Sequence, residues 1–226
     1  MIAASVLLGW LVARTEVFFA DGMRYISQAK VIDQGAWERG LFRSVDHPVY
    51  PVAIVAAHRL LGGHEPNDWQ RAAQLAAVAA GVLAVIPIYL VAIELIGAAN
   101  AWLACLLIYM IPINSHVMAD AMSESAFLLF GCFGLWSTLK FLRTARLTWL
   151  PLVIIFSLLA YLTRPEGLVV PVSLLATLVL LKIRPSLEFP KWSSRWAFAF
   201  HGHPRRSRSQ AQNPVQRRLG ADPPLQ

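Results

Sequence analysis

From Leu75 to Ile96 the chain runs for 22 residues with one charged side chain, Glu94. A helix of that length rises far enough to cross the roughly 30 Å hydrocarbon core of a bilayer, at about 1.5 Å per residue. Inside a bilayer each backbone amide must find its partner within the protein, which restricts a single segment to a helix. Pro87 within the run predicts a kink. The composition extends the argument to the rest of the chain. It is 57% apolar and 15% charged, against about 45–50% and about 25% for soluble domains. The fold class this implies is all-α integral membrane.

Ala126–Leu142, Trp149–Thr163 and Leu168–Ile183 read as further spans. Ala101–Ile113 is shorter, broken by Pro112, and reads as a tilted or partial span after the tight turn at Gly97–Asn100. Ile2–Ala13 is apolar but short, and extending it through Val17–Ala20 takes in Arg14 and Glu16. Its start has no Lys or Arg, and no small-x-small cleavage site leads into a soluble domain. It therefore reads as a first membrane helix whose start is missing rather than as a signal peptide. The total is about six transmembrane helices.

The longest polar stretch, residues 21–70, forms an outer loop with two helices of its own. Asp21-Gly22 caps the first, which runs to about Gln34 with Tyr25, Ala29 and Ile32 on one face and Arg24, Gln28 and Lys30 elsewhere. Gly35 and Gly40 break it. The prolines of Val45-Asp-His-Pro-Val-Tyr-Pro51 punctuate the chain again, and Val52–Leu61 forms the second helix, ended by Gly62-Gly63. Neither is long enough to span, so both are expected to lie along the membrane interface.

Charge sets the topology. Lys140, Arg143 and Arg146 share one short loop, and Lys182 and Arg184 follow the last helix two crossings later. The positive-inside rule puts both groups in the cytoplasm. Counting crossings, residues 21–70, Ser115–Ser125 and Arg164–Gly167 all emerge on the opposite face. Asp21, Asp46, His47, Asp120, Glu124, Arg164 and Glu166 thus converge there from loops far apart in sequence. The net charge of +7 comes mostly from residues 184–226, where eight Lys/Arg face two acids. The membrane domain is residues 1–183. The basic tail, 184–226, is expected to be disordered, and a frameshift or truncated gene would account for it. Because the basic charge belongs to the tail, no nucleic-acid partner is implied for the membrane domain. Cys105 and Cys132 sit in apolar runs without CxxC or Cys/His spacing, so no disulfide framework, zinc site or other cofactor is indicated.

An acid, an imidazole and a guanidinium at one membrane surface suit a lipid-phosphate substrate. A carboxylate acts as general base toward a hydroxyl, and cations stabilise a departing phosphate. Ionisable groups at the membrane edge are expensive and tend to be functional. A transporter would instead place charges near the middle of its spans, which are almost free of them.

Four motifs then appear in order: Phe-Phe-Ala-Asp-Gly-Met-Arg-Tyr25, Asp-His-Pro-Val-Tyr-Pro51, Met-Ala-Asp-Ala-Met-Ser-Glu-Ser125 and Leu-Thr-Arg-Pro-Glu-Gly167. Over roughly residues 5–183 the chain resembles the N-terminal part of the polyprenyl-phosphate-dependent membrane glycosyltransferases of the C-type fold. These include protein O-mannosyltransferases and aminoarabinose transferases. The resemblance implies sugar transfer, with inversion, from a polyprenyl-phosphate donor to a protein or glycolipid hydroxyl, at the outer face of the plasma (inner) membrane. It implies Asp21 as the catalytic base. Arg24, Tyr25, His47, Asp120, Glu124, Arg164 and Glu166 would bind substrate or shape the site. A divalent metal, used by some relatives, is not indicated. Many relatives carry Asp-Glu where this chain has Asp21-Gly22, and full-length members have further helices. A non-catalytic fragment or assembly subunit is the alternative.

Overall fold

The computed structural model describes residues 1–14, 20–42, 44, 46–63 and 65–183, and among these the chain forms ten α-helices and no strand. The organising element is α5 (Pro66–Ile96), 31 residues and about 46 Å long. It begins nine residues before the apolar run, because a capping box sets its start: the Glu65 amide donates to Asp68 Oδ2 at 2.9 Å. The polar loop therefore ends at Glu65 rather than Gln70, and α5 carries its first polar turns beyond the apolar run. Gly97, at φ +83°, ends the helix.

Around α5 pack α1 (Ile2–Val12), α2 (Ala20–Asp33), α4 (Val49–Leu61), α6 (Ala101–Met110), α7 (Pro112–Ala119) and α8 (Glu124–Thr144). Ala72, Ala73, Ala77 and Ala84 on α5 are fully buried. Such small residues let helices approach closely where lipid supplies no hydrophobic drive of its own. Past α8, the short helix α9 (Leu150–Tyr161) returns alongside it, and a 3-10 turn at Pro165–Leu168 leads into α10 (Val169–Ile183).

Among the described residues, three helices are long and apolar enough to cross a bilayer: Asn67–Ile96, Glu124–Thr144 and Pro165–Ile183. A fourth span forms if α6 and α7 count together, but they meet at a 74° bend. Ile111 there is extended (φ −73°, ψ 113°), as a residue before proline favours. The polar break expected over Ser115–Ser125 narrows accordingly, since α7 keeps Ser115 and His116 helical. The remaining two of the six expected spans are shorter: α1 has 11 residues, and the second apolar helix covers only Leu147–Tyr161. The continuation of the first helix through residues 15–19, and the tail from residue 184, lie outside the described residues.

The polar stretch ahead of α5 holds a third short helix, α3 (Trp37–Phe42), between the two expected ones. Gly40 lies inside it rather than breaking the chain. A Cβ there would run into the Ile32 side chain, so glycine permits the close approach of α3 to α2. Gly35 does end α2, at φ +85°. α4 begins at Val49, three residues earlier than expected, and closes on left-handed Gly62. Tyr25, Ala29 and Ile32 line the buried face of α2 as their spacing predicts, but Gln28 is buried with them.

At one end of the bundle Glu94 is flanked by Lys140 Nζ at 2.6 Å and Arg143 Nη1 at 2.5 Å. This ties the end of α5 to the end of α8, as alternating topology requires. The convergent polar loops lie at the other end.

Candidate functional site

The site is assembled on a small apolar platform. Tyr25, Ile26, Ala29 and Ile32 of α2 pack with Tyr50 and Ile54 of α4 against Ala72, Ala73 and Ala77 of α5. The Tyr25 and Tyr50 rings meet edge-to-face at 5.2 Å. The Tyr50 hydroxyl donates to the Ala73 carbonyl at 2.9 Å, and Tyr25 Oη is 3.1 Å from Ser123 Oγ. Burial is the main reason that both phenols are held above their ordinary pKa. For Tyr25 the Ser123 hydrogen bond acts in the opposite direction, and Asp46, Arg164 and Glu124 all contribute through their charges. Those three groups come from separate stretches of the chain, yet their charges all act on one phenol.

Two guanidiniums organise the rim. Arg24 Nη2 lies 3.0 Å from Asp21 Oδ1 and 3.1 Å from Asp46 Oδ1, so one nitrogen is shared by two carboxylates. Asp21 and Arg24 are about half exposed, whereas the Asp46 side chain is mostly buried. Asp21 lies in the first turn of α2, where the helix dipole favours a negative charge. Gln28 Nε2 donates to the Gly40 carbonyl at 2.7 Å and to the Asp46 carbonyl at 3.3 Å, which anchors the Asp46 loop.

Arg164 repeats the arrangement. Its Nη1 pairs with Glu124 at the start of α8, and its Nε lies 3.4 Å from Glu166 Oε2. Partial burial works against the guanidinium's charge, but hydrogen bonds and charges from Glu166 and Glu124 outweigh it and raise the Arg164 pKa. The Arg-Pro-Glu-Gly turn is held by close contact: a Cβ on Gly167 would overlap the backbone of Ala160 and Tyr161. His47 stacks obliquely on Tyr161 with ring centroids 5.5 Å apart, and the Val49 amide donates to the Leu162 carbonyl at 3.1 Å. The Asp-His-Pro loop is thereby fastened to the end of α9.

Of the residues singled out from sequence, Asp21, Arg24, Tyr25, His47, Glu124, Arg164 and Glu166 share this end of the molecule. Asp120 is different. It is only 2% exposed and its Oδ1 accepts the Ala121 amide at 2.7 Å. It is buried rather than on the rim, and its charge helps raise the Tyr50 pKa. Sequence reasoning put Asp46 on the outer face without giving it a part in the site, and it gave none to Gln28, Tyr50, Ser123 or Tyr161. Position next to His47 was the available signal for Asp46. Buried hydrogen-bonding partners such as Gln28 and Ser123 leave no such signal.

Chemically, the rim offers an ionisable carboxylate beside a cation at Asp21–Arg24, and a second cation at Arg164. Four carboxylates share two guanidiniums, so an incoming phosphate must compete with Glu124 or Glu166 for Arg164. Among the described residues no cluster of three or more His, Cys, Asp or Glu is arranged to hold a metal ion.

No curated protein and no solved structure matches the chain. A family model does match: dolichyl-phosphate-mannose-protein mannosyltransferase, over residues 46–200. That stretch contains Asp46, His47, Glu124, Arg164 and Glu166, and Asp21, Arg24 and Tyr25 lie ahead of it. With more than half of its length matched and its long apolar helices, the chain is a membrane protein of the dolichyl-phosphate-mannose-protein mannosyltransferase family, a family of glycosyltransferases.

Proposed function

We propose that this protein transfers a sugar from a polyprenyl-phosphate donor to an acceptor hydroxyl, and that Asp21 is the general base. Asp21 removes the hydroxyl proton as the acceptor oxygen attacks the anomeric carbon from the face opposite the phosphate. The new C–O bond forms as the bond to the phosphate oxygen breaks, with inversion, and polyprenyl phosphate leaves with the electron pair. Arg164, with His47 nearby, meets the charge that develops on that phosphate. Arg24 pairs with Asp21 and holds it in place, and Asp46 holds Arg24 in place. The acceptor is a protein or glycolipid.

The reaction takes place on the extracytoplasmic face of the plasma membrane. α2 and α4 lie in that interface, and α1 and α9 complete six crossings. The observation that carries the reading is the pair of carboxylate–guanidinium clusters, Asp21–Arg24–Asp46 and Glu124–Arg164–Glu166, at one end of a helical bundle whose family uses lipid-linked mannose.

Membranes containing the protein are given radiolabelled polyprenyl-phosphate sugars. Label is expected to pass to an acceptor, and Asp21→Asn is expected to lower the rate by about 10²–10⁴-fold, the usual worth of a general base. Full activity in a normally inserted Asp21→Asn protein would overturn the assignment.

A further inference from the structure

The loop carrying Asp46 and His47 touches both halves of the site. The Asp46 carboxylate shares Arg24 with Asp21, and the His47 ring rests on Tyr161, against which the Arg164 turn packs through Gly167. The place of that loop therefore sets how the base stands relative to the cation that meets the phosphate. We propose that Gln28 is the positioning residue that fixes it. Through one side-chain amide it holds the Asp46 backbone, and through Asp46 and Arg24 it holds Asp21 for the transfer reaction. The proposal rests on the glycosyltransferase reading above.

Three observations support it. First, Gln28 is in line with the residues it serves. Asp21, Arg24 and Gln28 follow one another at i, i+3 and i+7 on α2, along one edge of its buried face. That edge takes hold of Asp46 twice. Arg24 Nη2 meets the carboxylate at 3.1 Å, and Gln28 Nε2 donates to the backbone carbonyl at 3.3 Å. With main chain and side chain of one residue fixed together, the carboxylate has little room to turn away.

Second, the amide is fully committed. Nε2 has two hydrogens and faces two carbonyls, that of Asp46 and, at 2.7 Å, that of Gly40. Gly40 lies in the last turn of α3, where carbonyls have no partner within the helix. α3 comes this close to α2 because Gly40 has no Cβ to meet Ile32. The Gly40 carbonyl thus aims the amide, so that its other hydrogen meets Asp46. The two acceptors also decide which end of the amide is nitrogen, since an oxygen there would be repelled by both.

Third, the polar group comes at a cost. Gln28 is only 7% exposed, and its Oε1 is buried with no hydrogen-bond partner among the described residues. Burying such an atom is unfavourable, and a methionine of similar volume would avoid it. Packing alone does not account for an amide at this position, whereas holding the loop does.

The test compares Gln28→Met with the unaltered full chain in lipid nanodiscs, by sugar transfer from a polyprenyl-phosphate donor and by hydrogen exchange. Methionine fills the same space and removes both donors. The kcat is expected to fall about tenfold or more, because misplacing a reacting group by about 1 Å costs that much. KM for the donor is expected to change less than about twofold. The amides of Asp46 and His47 are expected to exchange about fivefold faster, with those around Glu94 unchanged. Asp46→Ala cuts the link to Arg24, so in that background Gln28→Met is expected to cost less than about threefold. Glu94→Ala loosens the opposite end of the bundle and serves as the control for lost stability alone. Gln28→Asn, still polar but one methylene shorter, replaces Gln28→Met if the methionine variant does not insert, and is expected to lose about threefold or more in kcat. Unchanged kcat in an inserted Gln28 variant overturns the proposal. So do losses that multiply in full in the double variant, or a loss of kcat no greater than that of Glu94→Ala. If the unaltered protein transfers no sugar, the glycosyltransferase reading falls and the positioning role with it. Transfer that survives replacement of Gln28 removes the positioning role alone.

Discussion

Arg164 is the residue on which most of the site depends. It joins the turn after α9 to the start of α8 through Glu124 and holds its own turn through Glu166. Arg164→Ala is expected to destabilise the protein by about 1–2 kcal/mol, a charged hydrogen bond discounted for partial exposure. Thermal unfolding in detergent measures this. Arg164→Lys keeps the charge but not the forked geometry and is expected to recover less than half of the loss. Gly167 is a sharper case. Gly167→Ala forces a Cβ into the Ala160–Tyr161 backbone, and a loss of about 1–3 kcal/mol is expected from overpacking. At this scale the sequence was informative about chemistry and silent about depth. Asp21, His47, Glu124 and Arg164 were recognisable because acids, imidazoles and guanidiniums are rare in such a chain. Asp120 has the same chemistry, yet it is buried. A side chain's charge can be read from its letter, but its burial depends on neighbours distant in sequence.

Among the elements, α5 and α8 form the frame. Their ends meet through Glu94, Lys140 and Arg143, and the Glu94 side chain is only 8% exposed. Glu94→Ala leaves two cations facing each other, and is expected to cost about 1–3 kcal/mol with little effect on the site at the opposite end. The end of α8 contains one strained residue, Ala145, at φ +50°. Ala145→Gly is expected to raise stability by about 0.5–1 kcal/mol, visible as a higher melting temperature. The apolar cores of α5, α8 and α10 were legible because length and hydrophobicity alone identify a spanning helix. Their polar ends were less so. α5 starts early because Glu65 and Asp68 cap it, and α3 is a six-residue helix too short to show a periodic pattern. The α6–α7 break was visible at Pro112, but not its 74° angle.

For the molecule as a whole, the two ends carry different chemistry: the two shared guanidiniums at one, and Glu94 with Lys140 and Arg143 at the other. In a cysteine-free background, Trp37→Cys is expected to react with an impermeant maleimide on intact cells, and Arg146→Cys only after permeabilisation. The reverse pattern would invert the proposed orientation. The sequence by itself determined that this chain is helical and membrane-embedded, and that the segments carrying Asp21, Glu124 and Arg164 belong to one end and those carrying Glu94 and Arg143 to the other. Those properties follow from segment length, hydrophobicity and crossing parity, each of which is local or can be counted along the chain. Only the tertiary structure decided that Arg24 is shared by Asp21 and Asp46, that Arg164 is shared by Glu124 and Glu166, and that the Gln28 amide spans the Gly40 and Asp46 carbonyls. These depend on which helix faces meet and how closely, and that is set by packing among small residues such as Ala73, Gly40 and Gly167 rather than by any pattern along the chain.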